Sequence, residues 1–261
     1  MRLTRFHWIL GATLLAASLI LATCSGALCL LWLSLLFGVS GTCIGLGVSF
    51  PQWQLFGESL CQVQTKRKLV ALTFDDGPDP QSTPALLDLL AERNVRATFF
   101  CIGKRVARHV ELAQRIVAEG HTVENHSHRH KRWTNLLPEA QLQADLAEAQ
   151  EVIHQVTDRT PAWFRPPMGM TNPRVFRVTR KLGLRMAGYT ARGLDLRADG
   201  PERIIARLRR GLRPGAILLL HDGGVPRARL TATVTALLNM LQAEGYRCVR
   251  LDELVLAREQ S

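Results

Sequence analysis

The beginning of the chain contains a long stretch without any aspartate, glutamate, lysine or arginine, from Phe6 to Trp53. One membrane-crossing helix needs about 20 apolar residues, and this stretch is about twice that long. A cleaved signal peptide has a shorter apolar region that ends at a cleavage site of small residues. We therefore expect residues 1–50 to form a membrane segment, followed by a linker at 51–67 and a water-soluble domain at 68–258.

The membrane segment divides at Cys24-Ser25-Gly26, which predicts helices over Phe6–Thr23 and Ala27–Val48. We expect a two-helix hairpin in preference to one long anchor. The second helix carries several glycines, and small residues allow helices to approach each other closely in lipid. These glycines are Gly38, Gly41, Gly45 and Gly47.

Positive charges flank both ends of the predicted hairpin. Arg2 and Arg5 precede it, and Lys66-Arg67-Lys68 follows it after a short polar stretch. The positive-inside rule places both flanks in the cytoplasm, which agrees with an even number of spans. The expected location is a bacterial inner membrane. The soluble domain lies on the cytoplasmic side if there are two spans, and outside if there is one.

Charge and cysteine usage argue against two binding classes. The net charge is +11, but the basic residues are scattered and lack the interleaved aromatic residues of a nucleic-acid surface, so no nucleic-acid partner is expected. Six cysteines include no CxxC pair, which excludes a zinc knuckle.

Beyond Lys68, short apolar runs alternate with helical patterns, which predicts an α/β domain with a largely parallel sheet. The seven strand-like runs are Leu69–Phe74, Ala97–Ile102, Thr122–Asn125, Trp163–Arg165, Arg185–Thr190, Ala216–Leu220 and Tyr246–Leu251. The helical patterns are Pro84–Arg93, Arg105–Glu119, Pro138–Val156, Asn172–Leu182, Pro201–Arg210, Leu230–Glu244 and Asp252–Ala257. Periodicity alone does not distinguish a closed barrel from an open sheet.

Polar residues follow several of these strands at the point where each strand ends. They are Asp75-Asp76, His126, Arg165 and His221. Because the carboxyl ends of parallel strands meet at one edge in both barrels and open sheets, we expect a single active site there.

Three histidines in five residues, His126, His128 and His130, suggest a metal site. A helical turn would pair His126 with His130, and an extended loop would pair His126 with His128. Two imidazole nitrogens and one carboxylate oxygen form a catalytic ligand set that leaves a position open for water.

The adjacent carboxylates of Asp75 and Asp76 are then expected to have separate tasks. One binds the metal and the other takes a proton from water, with Arg165 as the counter-charge that keeps it ionised. His221 suits a general acid, and the order of elements makes Asp195 a better partner for it than the adjacent Asp222.

Four motifs together resemble the NodB-homology polysaccharide deacetylases, carbohydrate esterase family four. They are Thr73-Phe74-Asp75-Asp76-Gly77-Pro78, His126-Ser127-x-x-His130, Arg165-Pro166-Pro167 and Leu218-x-x-His221. The resemblance covers 68–256. It implies a distorted (β/α) barrel and metal-dependent removal of an N-acetyl group from an amino sugar. The implied metal is usually zinc, and sometimes cobalt or nickel.

The resemblance also assigns roles to individual positions. It implies that Asp75 is the catalytic base, that Arg165 is the partner of Asp75, and that the metal ligands are Asp76, His126 and His130. It also implies that the backbone of Met168 donates to the oxyanion and that His221, tuned by Asp195, is the acid that protonates the leaving amine.

Departures from the family pattern lie on the substrate side. Met168 stands where the family usually has an aromatic residue, and Leu196 follows Asp195 where the family has tryptophan. Leu196 and Leu219 are the candidate pocket residues. We expect an N-acyl amino sugar in a polysaccharide or glycoconjugate as the substrate. The alternatives are a lipid-linked sugar, which is deacylated or deformylated, and a non-catalytic sugar-binding role.

Overall fold

Two apolar helices open the part of the chain that the structure, a computed structural model, describes, which is residues 3–258. Helix α1 spans Arg5–Thr23 and α2 spans Gly26–Ser49, so the two predicted helices are confirmed to within one residue at each end. They pack against each other, and the Oγ atoms of Thr13 and Ser40 are 2.9 Å apart. Both are long and apolar enough to cross a membrane. Of the predicted flanking charges, Arg2 lies outside the described residues.

The predicted role of the α2 glycines in helix packing is wrong for three of the four. A Cβ atom added at Gly38, Gly41 or Gly45 would meet no atom within 4 Å. These glycines face away from α1, because the contact between the helices runs along the side of α2 that carries Ser40. Gly47 does face a neighbour, since an added Cβ would lie 2.1 Å from Leu55 Cδ2.

In the described part of the chain, eight parallel strands form a curled half-barrel, which confirms the expected distorted barrel. The strands are β1 Leu69–Asp75, β2 Thr98–Cys101, β3 Thr122–Asn125, β4 Trp163–Phe164, β5 Arg185–Met186, β6 Ala191–Arg192, β7 Ala216–His221 and β8 Arg247–Val249. Their order is β5-β4-β3-β2-β1-β7-β6, and β8 pairs with the first half of β1.

The structure has one strand more than the sequence predicts. The expected strand Arg185–Thr190 is replaced by β5 and β6, which lie at opposite ends of the strand order. The chain between them crosses the opening of the half-barrel, where Gly188 N donates to Leu60 O at 2.9 Å. That crossing interrupts the segment Arg185–Thr190, whose composition predicts a single strand.

Within residues 3–258, eight α-helices follow the hairpin. They are α3 Thr83–Glu92, α4 Gly103–Arg108, α5 Val110–Ala118, α6 Glu139–Thr157, α7 Pro173–Lys181, α8 Pro201–Arg210, α9 Arg227–Ala243 and α10 Leu251–Leu256. The single helix predicted over Arg105–Glu119 is two helices, because His109 leaves the helical conformation at φ −127° and ψ 56°. The break lets α4 start against α6, where a Cβ on Gly103 would lie 2.9 Å from Ala149 Cα.

The alternating side chains of β1 divide the core into two parts. Val70, Leu72 and Phe74 pack under the helices, whereas Ala71 packs in the interior of the half-barrel. Because successive side chains of a strand point to opposite faces, Asp75 falls on the interior face. The strand pattern therefore aims this carboxylate into the mouth of the half-barrel.

The segment between the hairpin and β1 packs on the half-barrel. Leu60 forms a bridge with Ala187 and Gln62 forms one with Ala216. The buried side chains of this segment include Leu55, Phe56 and Val63.

Candidate active site

Asp76, His126 and His130 form a cluster whose potential ligand atoms all lie within 4.8 Å of one another. Asp76 Oδ1 is 3.4 Å from His126 Nε2 and 3.0 Å from His130 Nε2. Within the described residues this buried oxygen accepts no well-formed hydrogen bond. Two imidazole nitrogens facing a carboxylate oxygen fit zinc, cobalt or nickel.

The orientation of His126 supports this fit. His126 Nδ1 lies 2.7 Å from the backbone oxygen of Arg165, which only accepts hydrogen bonds, so Nδ1 carries a proton. In the neutral ring the lone pair of Nε2 then points at the Asp76 carboxylate. The Nε2 lone pair and the carboxylate oxygen repel each other, and a cation bound between them would remove this repulsion. A backbone carbonyl that accepts a hydrogen bond from the other ring nitrogen is a common support of histidine ligands in metal sites.

The electrostatics of the cluster favour a positive ion. Burial by itself raises the pKa of Asp76, but the neighbouring His126 and His130 rings lower it well below its usual range. Burial lowers the pKa of His126, yet the Asp75 and Asp76 carboxylates raise it overall. The same negative field that favours a charged ring attracts a metal cation.

A loop with two left-handed residues, rather than a helical turn, brings His126 and His130 together. Ser127 has φ 65° and His130 has φ 46°. Ser127 N donates to Asn125 Oδ1 at 2.8 Å, and His130 N donates to Ser127 Oγ at 3.0 Å. Of the two pairings left open by the sequence, the structure has His126 with His130. This pairing arises without a helical turn, because these side-chain hydrogen bonds impose another backbone path.

His128 lies on the other side of this loop. Its backbone N–H donates to Asp145 Oδ2 at 3.1 Å, and its Nε2 lies 3.3 Å from Glu148 Oε1. It takes no part in the cluster.

Asp75 and Arg165 form a buried ion pair beside the cluster. Arg165 Nη1 donates to Asp75 Oδ1 at 2.7 Å and to Thr73 Oγ1 at 2.8 Å, and Nη2 donates to Gly188 O at 2.8 Å. The guanidinium also lies 4.0 Å from the centre of the Phe100 ring. A buried arginine needs such partners, because an unpaired charge is costly in the interior. The other carboxylate oxygen, Asp75 Oδ2, is 3.9 Å from His126 Nε2.

His221 ends β7 and is held by Asp195, as the order of elements suggests. His221 Nδ1 is 2.9 Å from Asp195 Oδ1, and His221 N donates to Asp195 Oδ2 at 2.8 Å. Burial lowers the pKa of His221, but the Asp195 carboxylate raises it more, to about 9. The ring is therefore protonated at neutral pH and carries a proton that it can give away.

Asp222, the residue after His221, supports the turn that presents Asp76. It is fully buried and accepts a hydrogen bond from Thr83 Oγ1 at 2.6 Å. A Cβ on Gly77 would lie 2.1 Å from Asp222 Oδ2, so only glycine fits there without displacing the carboxylate. This role is not visible in the sequence, because nothing local to either residue signals a contact between positions 145 residues apart. Only the TFDDGP motif singles out the glycine.

The candidate substrate-side residues lie around the same mouth. Met168 is exposed, its φ is 60°, and its backbone N–H has no acceptor within residues 3–258. Leu196 is also exposed, and its Cδ2 would lie 3.6 Å from a Cβ on Gly224. Leu219 is buried on the interior face of β7, two residues before His221.

A carboxylate–imidazole cluster that fits a metal ion lies beside the buried carboxylate of Asp75, and His221 ends the neighbouring strand. This arrangement on an α/β half-barrel is typical of a metal-dependent hydrolase. A family model described as Polysaccharide deacetylase matches residues 62–187. Peptidoglycan-N-acetylglucosamine deacetylase of Bacillus cereus is 35% identical over 196 residues, covering 74% of this chain and 91% of that protein. Chitooligosaccharide deacetylase of Bradyrhizobium sp. is 35% identical over 197 residues, covering 71% and 90%. The chain belongs to the polysaccharide deacetylase family, carbohydrate esterase family four.

Solved structures agree with this assignment. A family 4 acetyl xylan esterase from Clostridium thermocellum, in complex with a cobalt ion, has a TM-score of 0.66 and 34% identity over 71% of this chain and 89% of that one. A family pseudoenzyme from Bacillus anthracis has a TM-score of 0.70 and 25% identity over 76% and 69%. The fold therefore occurs in both active and inactive relatives, and the site residues must decide between them.

Proposed function

We propose that this chain removes the N-acetyl group from an amino sugar by metal-dependent hydrolysis of the amide bond. The observation that carries the proposal is the arrangement of two adjacent aspartates. Asp76 faces the two histidines of the cluster, while Asp75 is held by Arg165 with its second oxygen 3.9 Å from His126.

When bound at Asp76, His126 and His130, a divalent cation supplies Lewis acidity toward the amide oxygen and makes water a better nucleophile. Zinc is the first choice and cobalt or nickel the alternatives, since all three accept this donor set. Asp75 takes a proton from the attacking water. Arg165 holds the Asp75 carboxylate in place for that task, since Nη1 donates to Oδ1 at 2.7 Å.

The second half of the reaction uses residues on both flanks of the cluster, since His221 ends β7 and Met168 follows β4. His221, protonated and held by Asp195, donates its proton to the leaving amine. The free backbone N–H of Met168 donates to the negatively charged oxygen that forms as the amide is attacked. Leu196 and Leu219 border the space for the sugar and its acyl group.

A non-catalytic sugar-binding role is the competing proposal, since inactive relatives have this fold. The polar contacts argue for catalysis. The base, its arginine, the three-ligand cluster and the acid with its carboxylate are all present and in contact in this chain.

We further propose that α1 and α2 form a membrane hairpin within residues 1–50, and that the domain at 68–258 follows it on the cytoplasmic side of an inner membrane. The support is the apolar composition of both helices and the basic residues at the two flanks.

The experiment that tests the function measures acetate release by the full chain in detergent. The protein is stripped with a chelator and then reloaded with zinc, cobalt or nickel. N-acetylated glycan fragments and a lipid-carried N-acetyl amino sugar serve as substrates. Metal-dependent release supports the proposal. Metal binding without release from any of these substrates would favour the sugar-binding alternative.

A further inference from the structure

Three segments that surround the mouth of the active site are joined by hydrogen bonds. They are the end of the hairpin (48–53), the segment after the histidine loop (131–137) and the loop after β4 (168–174). Thr171 N donates to Val48 O at 3.0 Å, Asn172 Nδ2 donates to Asn135 O at 2.6 Å, and Arg174 Nη1 donates to Leu137 O at 2.6 Å. We call these three segments the rim.

The rim exposes an unusual amount of apolar surface. Eight large hydrophobic side chains are exposed in the described chain after the hairpin helices, and five of them belong to the rim, each between 41% and 61% exposed. The five are Phe50, Trp53, Trp133, Leu136 and Met168. Soluble surfaces rarely group such residues without a partner. Aromatic rings of this kind are enriched where a bilayer meets water.

Positive charge accompanies this apolar surface. Arg5 donates to Trp53 O at 2.8 Å, and Lys131 and Arg132 are exposed directly before Trp133. None of these three is paired with a carboxylate within residues 3–258. Unpaired lysines and arginines beside exposed aromatic rings complement anionic lipid headgroups.

The length of α2 puts the rim at the depth of those headgroups. The helix has 24 residues, which is about 36 Å at 1.5 Å per residue. The hydrocarbon core of a bilayer is about 30 Å thick. A membrane-crossing α2 therefore ends in the headgroup region, and Phe50 and Trp53 follow within one helical turn of that end.

We propose that the rim rests on the bilayer surface, so that the active site opens onto the membrane and takes an N-acyl amino sugar carried on a membrane lipid. This inference rests on the proposed deacetylation and narrows its substrate class. The loop that carries Met168 also carries Thr171, so the residues that face the amide lie beside the end of the hairpin. A sugar attached to a lipid reaches this mouth by diffusing in the plane of the membrane.

The position of the rim is tested without any measurement of activity. The full chain with Trp8→Phe, Trp32→Phe and Trp53→Phe keeps Trp133 and the buried Trp163 as its tryptophans. It is reconstituted into vesicles of phosphatidylethanolamine and phosphatidylglycerol that contain brominated lipids. We expect Trp133 fluorescence to be quenched by about half, since its ring lies at the interface.

The control carries Trp133→Phe and Leu256→Trp in the same background. Leu256 is exposed on α10, away from the rim, so its replacement reports a position in water. If Trp133 is quenched no more than this control, the rim does not lie on the bilayer and the proposal is wrong. A rim covered by a second protein copy instead would give the same negative result.

The substrate class is tested with two matched compounds in the same vesicles. One is N-acetylglucosamine linked through phosphate to a polyprenyl chain, and the other is a water-soluble N-acetylglucosamine oligosaccharide. We expect kcat/KM to be at least about tenfold higher for the lipid-carried sugar, because partition into the membrane concentrates it. Trp133→Asp should lower this ratio several-fold, whereas Leu256→Asp should leave it unchanged. An equal or higher kcat/KM for the soluble sugar would overturn the proposal.

Failure of the proposed function gives a different result. In that case neither compound releases acetate with any metal, while the quenching of Trp133 still reports where the rim lies.

Discussion

Arg165 supports both halves of the candidate catalytic centre, through its side chain and through its backbone. Its guanidinium donates to Asp75 Oδ1 at 2.7 Å, and its carbonyl oxygen lies 2.7 Å from His126 Nδ1. One residue therefore holds the proposed base and orients a proposed metal ligand. Mutation can remove the first contact without the second, because replacing the Arg165 side chain leaves the backbone carbonyl in place.

Replacement of Arg165 by lysine tests this separation. Lysine keeps a charge but cannot donate to Asp75, Thr73 and Gly188 in the same fixed geometry. We expect kcat to fall about a hundredfold, while zinc affinity stays within about twofold because the contact to His126 is a backbone contact. Kinetics and a zinc competition titration measure the two effects. A parallel loss of zinc affinity would contradict the separation.

The two adjacent aspartates should give opposite results. Asp75→Asn should abolish most activity, about a thousandfold in kcat, and retain metal binding. Asp76→Ala should lower zinc affinity by about a hundredfold or more, because it removes one of three ligands. Calorimetric titration with zinc and acetate-release kinetics compare the two variants. If Asp75→Asn loses the metal and Asp76→Ala keeps it, the proposed division of tasks is reversed.

The pH dependence of kcat should report His221. A raised pKa, to about 9, means that the acid is protonated below that pH and that activity falls as pH rises through it. Asp195→Asn removes the carboxylate that raises the pKa of His221, so the falling limb should move to lower pH by about one unit or more. The pH–rate profile of wild type and variant measures this shift. His221→Gln should lack that limb, and its persistence there would assign the titration to another group.

Gly77→Ala should disturb the turn that presents Asp76. The added methyl group would meet the buried Asp222 carboxylate at 2.1 Å, and we expect a cost of about 1–3 kcal/mol in the free energy of unfolding. Because the displaced turn carries Asp76, Gly77→Ala should also lower zinc affinity. Asp222→Ala in the Gly77→Ala background should recover part of that affinity, since it removes the clash. Thermal unfolding and zinc titration of the two single variants and the double variant form the cycle. Strictly additive effects would show that the contact does not act as described.

The sequence predicts the location of the site better than its internal geometry. Asp75, His126, Arg165 and His221 could be placed together, because strand ends of a parallel sheet share an edge. The pairing of His126 with His130 could not be decided from spacing. It depends on the left-handed conformations of Ser127 and His130 and on the Asn125 side chain that holds the loop.

Other differences between the prediction and the structure are caused by contacts between residues far apart in the sequence. The division of one predicted strand into β5 and β6 arises where the chain crosses the opening of the half-barrel, and composition carries no sign of that crossing. The contact of Gly77 with Asp222 joins residues distant in sequence. Glycines in α2 suggested helix packing, yet a pattern of small residues does not tell which side of a helix faces its neighbour.

The hydrogen bond from Thr171 N to Val48 O connects the helical hairpin to the loop at the mouth of the site. Val48 belongs to an apolar helix, and Thr171 follows Met168 by three residues in the loop at the mouth of the site. Removing the first 59 residues would therefore delete the hydrogen-bond partner of Thr171, in the loop that carries Met168, along with both apolar helices. Kinetic constants measured on the shortened protein would describe a Met168 loop that has lost this contact.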